Sequence, residues 1–168
     1  MKLTILKYGI YGFIAGLVFF ALSFLFGKNL DFSTQEVIGY ASIIVSLSFI
    51  YFAIKHYRDQ VNNGLVSFGK TLAIGMLVSV FVAIGIAISD YIYTSFLNPD
   101  FMSEYVDYTL KGMKETLSEP EFEREKAILL EEVKMWDNPI IMALFMFFTV
   151  VLIGFIISLI SGLILQRK

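Results

Sequence analysis

Four long apolar runs without a charged residue constrain this chain more than any other feature. They cover residues 8–27, 37–54, 71–89 and 139–165. A helix of roughly 20 apolar residues crosses a hydrocarbon core of about 30 Å, because it rises about 1.5 Å per residue. A soluble core can bury one such run but not four. The sequence therefore predicts an all-α integral membrane protein with four transmembrane helices.

The composition excludes several kinds of chemistry. The chain has no Cys, which excludes disulfides, thiol catalysis and thiolate metal sites. His56 is the only histidine, so a site with several histidine ligands is excluded as well. We therefore expect no metal and no cofactor. The basic residues are few and spread along the membrane edges, which argues against nucleic-acid binding.

The start of the chain has two interpretations, a retained membrane helix or a cleaved secretory signal. The first apolar run has about 20 residues, whereas the apolar region of a signal has roughly 7–15. Ala21-Leu22-Ser23 is a poor cleavage site because Phe24-Leu25-Phe26 continues the run. These observations favour a retained helix.

The charge between the runs predicts the orientation of the chain. Four spans put both termini on the same side as the loop 55–70. That side carries seven basic residues and one acid, whereas segments 28–36 and 90–138 carry 6 basic residues and 14 acids. The seven basic residues are Lys2, Lys7, Lys55, Arg58, Lys70, Arg167 and Lys168. Short basic segments stay in the cytoplasm, so we expect both termini on the cytoplasmic side of the membrane. Residues 1–89 would hold three spans and the cytoplasmic loop, 90–138 would lie outside, and 139–168 would hold the fourth span and a basic tail.

Small residues recur at every fourth position in the predicted spans, which places each set on one helix face. Helix backbones approach closely where such faces meet. The pattern predicts helix packing and leaves open whether the faces meet within one chain or in a homo-oligomer. The sets are Gly12 and Gly16; Ser42 and Ser46; Gly75, Ser79, Ala83 and Ala87; and Gly154, Ser158 and Gly162.

The middle of each predicted span is free of ionisable residues. No Asp, Glu, Lys, Arg or His occurs there. Ion-coupled transporters and proton relays place such residues inside the membrane. The sequence therefore argues against both classes.

The loop 55–70 is the predicted ligand site. Its residues Lys55, His56, Arg58 and Lys70 are expected near the lipid headgroups, where they can bind an anionic headgroup or a phosphorylated ligand. The alternative is that these side chains snorkel to the interface and only fix the orientation of the helices.

One run in this region resembles a known family. Residues 49–59 read Phe-Ile-Tyr-Phe-Ala-Ile-Lys-His-Tyr-Arg-Asp, and Gly64 and Ser67-Phe68-Gly69-Lys70 follow. Together with Asn98-Pro99-Asp100-Phe101, Tyr105 and the Ile-Ser-Leu-Ile-Ser run at 157–161, this makes the chain similar over essentially its whole length to an uncharacterised membrane family. The family is called domain of unknown function 4199 and is common in Bacteroidota. The resemblance implies a four-helix inner-membrane protein and implies no catalytic activity.

The segment 90–138 is too long for a bare connection. We expect one amphipathic helix after Asn98-Pro99 and a second that begins with a capping box of Ser118 and Glu121. Trp136, just before the fourth span, is typical of an interfacial anchor. The glutamates of this segment lack the spacing of a dedicated calcium loop, so we interpret them as a solvated helix surface.

Three functions are compatible with these features. We favour a non-enzymatic membrane scaffold or accessory subunit, whose partners are the lipid bilayer and either a membrane protein or a second copy of the chain. The alternative is a small carrier or lipid-handling protein that binds anionic headgroups at the loop 55–70. An enzyme acting on headgroups is the third, and His56 and Asp59 are its only acid–base pair. Because such a pair is more often structural, we expect that the protein is not an enzyme.

Overall fold

A computed structural model describes residues 1–27 and 30–167 of the chain, which form seven α-helices and two π-helical turns. Lys28 and Lys168, two of the basic residues counted above, lie outside the described residues. The π-helical turns Tyr57–Val61 and Tyr93–Leu97 continue α3 and α4. The helices are α1 Lys2–Gly27, α2 Phe32–Leu47, α3 Phe49–His56, α4 Phe68–Ile92, α5 Phe101–Thr116, α6 Glu119–Trp136 and α7 Pro139–Leu165.

Four helical segments are long and apolar enough to cross a membrane, as the sequence predicts. They are Lys2–Gly27, Phe32–Val61, Phe68–Leu97 and Pro139–Leu165, with mean hydropathies from 2.1 to 3.0. The first three are longer than the apolar runs because the helices continue through polar residues at their ends. The third runs on past residue 89, where the sequence analysis ended it at the first charged residue.

The second span is interrupted at Ser48, a turn residue that separates α2 from α3. The Ser48 hydroxyl donates a hydrogen bond of 2.7 Å to the carbonyl of Val45. A hydroxyl that bonds back to its own helix competes with the backbone hydrogen bonds. The backbone at Ser48 stays helical, with φ −58° and ψ −24°, so α2 and α3 form one spanning segment.

Helix α4 is the centre of the bundle and packs against α1 and α7. One of its faces is fully buried along the whole length, at Ile74, Val78, Val82 and Ile86. In contrast, only 11% of the apolar window of α7 is buried. Most of the apolar window of α7 is therefore exposed on the surface of the bundle, as expected of a helix that faces lipid tails.

Small residues allow α4 and α7 to approach closely. A Cβ atom added at Gly75 would lie 2.7 Å from the Cβ of Ser158. A Cβ added at Gly154 would meet the side chain of Ser79, at 3.0 Å from its hydroxyl oxygen. Gly162 lies against the start of α4 in the same way. The small-residue faces of α4 and α7 thus meet within one chain.

The interface of α1 with α4 is built on the same principle. A Cβ added at Gly12 would lie 2.6 Å from Val82, and one at Gly16 would lie 3.1 Å from Ile86. A hydrogen bond crosses this interface, from the hydroxyl of Ser89 to the carbonyl of Leu17 at 2.8 Å. Ala83, on the same helix, is fully buried.

Helices α5 and α6 form a hairpin between the third and fourth spans. The predicted capping box is present, since the Ser118 N–H donates to the Glu121 carboxylate at 3.2 Å and the Ser118 hydroxyl donates to the same carboxylate. Phe32 at the start of α2 lies against the aromatic face of α5, with its ring centre 5.0 Å from that of Tyr108. Trp136 ends α6, and its ring lies 4.9 Å from that of Phe145 in α7. The hairpin is thus tied to the bundle mainly through aromatic contacts.

Candidate anion-binding site at the basic end of the bundle

Four segments converge at one end of the bundle, which we call the basic end. They are the start of α1, the π-helical turn after α3, the loop before α4 and the tail after α7. Val66 in the loop and Arg167 in the tail exchange two backbone hydrogen bonds of 2.9 Å. The described basic residues of these segments and of the adjoining turns of α3 and α4 are Lys2, Lys7, Lys55, Arg58, Lys70 and Arg167.

A groove of about 480 Å³ opens at the basic end between α1 and the end of α3. Lys2 and Lys7 approach it from α1, and His56 from α3. Two ammonium groups and an imidazole can all donate hydrogen bonds to a phosphate oxygen. The groove is lined by Met1, Lys2, Leu3, Thr4, Lys7, His56 and Val61.

The side chain of Tyr8 connects the two helices beside the groove. Its ring lies 5.5 Å from the imidazole ring of His56, centre to centre. The ammonium of Lys7 lies 5.7 Å from the centre of the same ring, which is within the range of a cation–π contact. This aromatic contact positions Lys7 and His56 from different helices around one opening.

Arg58 has a different role, although it is only two residues from His56. Its side chain is buried, and its guanidinium donates to both carboxylate oxygens of Asp59, at 2.6 and 3.0 Å. The guanidinium also donates to the carbonyl of Leu165, at 3.4 Å, near the end of α7. Arg58 therefore ties the end of α3 to the end of α7, and its charge is balanced inside the protein.

The predicted ligand residues do not all lie at one opening. His56 lines the groove, Arg58 is buried in its ion pair, and Lys55 and Lys70 are exposed outside the groove lining. Headgroup binding by Lys55, Arg58 and Lys70 stays a prediction. The groove adds Lys2 and Lys7, which the sequence analysis counted only as markers of orientation. The even number of spans could have indicated them, because it places the N-terminus beside the loop.

The loop after the π-helical turn reverses the chain direction at Asn62-Asn63-Gly64. Asn63 and Gly64 have φ angles of 52° and 81°, which Asn and Gly tolerate. The Gly64 N–H donates to the carbonyl of Arg58 at 2.7 Å, and the Asn62 side chain donates to the carbonyl of Leu65 at 2.7 Å. This turn brings the start of α4 next to the end of α3.

A second unusual group lies towards the opposite end of α4. The side chain of Asp90 is 5% exposed, and its Oδ2 has no hydrogen-bond partner among the described residues. The sequence analysis placed Asp90 at the start of the segment outside the membrane, whereas the structure buries it within α4. In residues 1–27 and 30–167, no three His, Cys, Asp or Glu side chains gather in a way that could hold a metal ion.

Comparisons with known proteins identify a family and leave its chemistry open. No curated protein and no solved structure matches this chain. One family, described as protein of unknown function (DUF4199), matches residues 7–167. The match covers nearly the whole chain, including the second, third and fourth candidate spans and all but the first five residues of the first. The chain therefore belongs to the DUF4199 family.

Proposed function

We propose that this protein is a non-enzymatic membrane scaffold, or accessory subunit, whose basic end holds an anionic lipid headgroup. The groove lined by Lys2, Lys7 and His56 carries this proposal. Its volume lies within the range of small-molecule binding sites, and its two lysines are not engaged in the ion pairs that the structure describes. Each basic residue near an anionic surface contributes about 1 kcal/mol to association.

In this proposal the basic end faces the cytoplasm of a bacterial cell. The segments at that end carry seven basic residues and one acid, and short basic segments stay inside. The α5–α6 hairpin then lies on the other side of the membrane. Its exposed apolar side chains, such as Tyr105, Tyr108 and Ile128, are available to a membrane-protein partner or a second copy of the chain.

The geometry around His56 supports a role other than catalysis. A catalytic histidine needs a carboxylate or similar group to orient it. The only nearby candidate from the sequence is Asp59, and both of its carboxylate oxygens accept hydrogen bonds from Arg58. His56 instead lies against the ring of Tyr8. We therefore assign His56 to binding.

The positions of the two grooves favour a scaffold over a lipid carrier. A second groove of about 250 Å³ lies between α4 and α7 and is lined by apolar side chains, including Ile84, Ile88 and Leu144. It lies on the half of α4 that is remote from the basic groove. A carrier would be expected to enclose the headgroup and the acyl chains of one lipid in a continuous cavity.

Lipid retention in native mass spectrometry tests the proposal. The purified full-length protein would be given equal amounts of phosphatidylglycerol and phosphatidylcholine. We expect preferential retention of phosphatidylglycerol, lowered about 10–30-fold in a Lys2→Gln/Lys7→Gln variant, since about 2 kcal/mol is lost. A Lys111→Gln/Lys126→Gln variant of the hairpin removes the same charge and should retain the preference. Equal retention of the two lipids by the wild type, or equal loss in both variants, would contradict the proposal.

A further inference from the structure

Asp90 lies inside the helix bundle and not at its mouth. It follows the fully buried Ile86 by one turn of α4. One turn beyond it, Tyr93 and Thr94 are only 7% and 5% exposed, and the ring of Tyr93 stacks on that of Phe24 at 3.8 Å. The carboxyl group is therefore enclosed between two buried layers.

The hydroxyl groups nearest to Asp90 in sequence are committed elsewhere. Ser89 donates to the carbonyl of Leu17, and Thr94 donates to the backbone carbonyl of Asp90. The Oδ2 atom of Asp90 has no hydrogen-bond partner in the described part of the chain. A native protein rarely leaves a buried polar atom unpaired, so this oxygen requires an explanation.

In residues 1–27 and 30–167, helices α1, α2 and α7 carry no basic residue at this end of α4. Helices α1, α2 and α7 pack against α4. The charged residues of α1 are Lys2 and Lys7 at the basic end, Glu36 of α2 is exposed, and α7 has none. Beyond the π-helical turn, Glu104 of α5 accepts a hydrogen bond from Asn98, which also donates to the Tyr93 hydroxyl. No cation in the described residues forms an ion pair with Asp90.

A buried carboxylate without a counter-charge is unstable in such surroundings. An isolated charge costs several kcal/mol or more to bury, so a buried ionisable group is paired or neutralised. A metal cation would require several further oxygen ligands, and no acidic or histidine cluster is present among the described residues. A proton requires none.

We propose that Asp90 is a proton-binding site, at which the folded bundle holds the carboxylic acid and releases its proton only when this end of α4 opens to water. Acidic residues inside membrane-spanning segments are rare and mark functional sites. The π-helical turn Tyr93–Leu97 follows directly, and π-helical turns often occur at functional sites. This site is independent of the headgroup groove at the basic end.

Infrared difference spectroscopy of the full-length protein in lipid nanodiscs tests the proposal. At neutral pH we expect the carbonyl stretch of a protonated carboxyl group in the wild type. The band should be absent from Asp90→Asn and present in Glu36→Gln, which removes the exposed acid of α2. A wild type without the band, or a band that persists in Asp90→Asn, would overturn the proposal.

A second variant decides the matter if Asp90→Asn does not fold. Asp90→Glu keeps an acid and should keep the band at a shifted frequency. A band that does not move in this variant belongs to another residue, which would overturn the assignment. Loss of the wild-type band when NaCl is added at constant pH would also overturn it, because the site would then prefer a metal cation.

Discussion

The two ends of the bundle each bury one ionisable side chain, and the two side chains differ in their hydrogen-bond partners. At the basic end, Arg58 is held by both oxygens of Asp59 and by the carbonyl of Leu165. At the other end, Asp90 is as deeply buried but has an oxygen without a partner. A buried charge that is paired serves structure, since it joins two helices. A buried acid without a counter-charge is the site at which we propose that the bundle binds a proton.

The two ends also share a feature of their local structure. A spanning helix continues at each end as a π-helical turn that begins with a buried Tyr and closes on an Asn. The N–H of Asn62 bonds the carbonyl of Tyr57, and the N–H of Asn98 bonds that of Tyr93. The side chains are also hydrogen-bonded. The Tyr57 hydroxyl donates to Oδ1 of Asn62 at 3.4 Å, and the side-chain amide of Asn98 donates to the Tyr93 hydroxyl at 3.2 Å. The two turns thus share a backbone hydrogen bond, and the two ends differ in whether the buried ionisable side chain has a partner.

The largest expected effect concerns the helix that joins the two ends. Ser79 is fully buried in the middle of α4 against Gly154. Ser79→Leu should lower the free energy of unfolding by about 3 kcal/mol, because a large side chain cannot fit where two backbones approach closely. Leu77→Met, on an exposed part of α4, should change little. Equal melting temperatures in detergent for Ser79→Leu and the wild type would show that α4 and α7 do not pack in this way.

The next largest effect on stability compares the paired Arg58 with the unpaired Asp90. Arg58→Gln should lower the free energy of unfolding by about 2 kcal/mol, because Asp59 and the Leu165 carbonyl lose a charged donor. Asp90→Asn should leave thermal stability at neutral pH close to that of the wild type, because the amide has the shape of the neutral acid. A larger loss of stability in Asp90→Asn than in Arg58→Gln would reverse the comparison.

A smaller effect is expected at Asn62 and Asn98, the residues that follow the two π-helical turns. Asn62→Ala and Asn98→Ala should each cost about 1 kcal/mol, the usual net contribution of a hydrogen bond. Faster amide exchange should be confined to the end that carries the substitution. Gln60→Ala, an exposed position in the first turn, serves as the control. If either substitution increased amide exchange at both ends, the hydrogen bonds at the two turns would not be independent.

The smallest effect concerns the first turn of α2. The pKa of Asp31 is lowered from its ordinary 3.8 to about 2, because its carboxylate accepts hydrogen bonds from the Thr34 N–H and from the Ser33 and Thr34 hydroxyls. A depressed pKa means that this stabilisation is present above pH 3.8 and is lost as the pH falls through about 2. Asp31→Ala should therefore speed amide exchange at Thr34 at neutral pH and approach the wild type in strong acid.

The matched control for this cap is Asp100→Ala. Asp100 precedes α5 in the same way, but its side chain makes no capping hydrogen bond. This substitution should leave exchange in α5 nearly unchanged at every pH. A change in α5 as large as that in α2 would show that the charge near the helix start matters and the hydrogen bonds do not.

The sequence predicted the features that depend on local signals. Apolar length located the four spans, and Ser118 with Glu121 located the start of α6. Asn98-Pro99 correctly preceded α5. These features could be predicted because hydropathy and helix capping act within a few residues of the chain.

The features that it missed depend on contacts between distant residues. Arg58 bonds the carbonyl of Leu165, which is 107 residues away in the sequence. Lys2 and Lys7 reach His56 only because α1 lies beside α3. The sequence predicts Asp90 as the first residue outside the membrane, because a charge normally ends a span. In the structure α4 continues beyond Asp90 and other helices bury its side chain, which only the packing of distant residues determines.

Cysteine labelling tests most directly whether the two ends of the bundle lie on opposite sides of one membrane. The chain has no native Cys, so Leu65→Cys at the basic end and Glu115→Cys in the hairpin can be labelled separately in intact cells with a maleimide that does not cross the membrane. We expect label on position 115 in intact cells, and on position 65 only after the membrane is permeabilised. Labelling of both positions in intact cells, or of position 65 alone, would contradict the account.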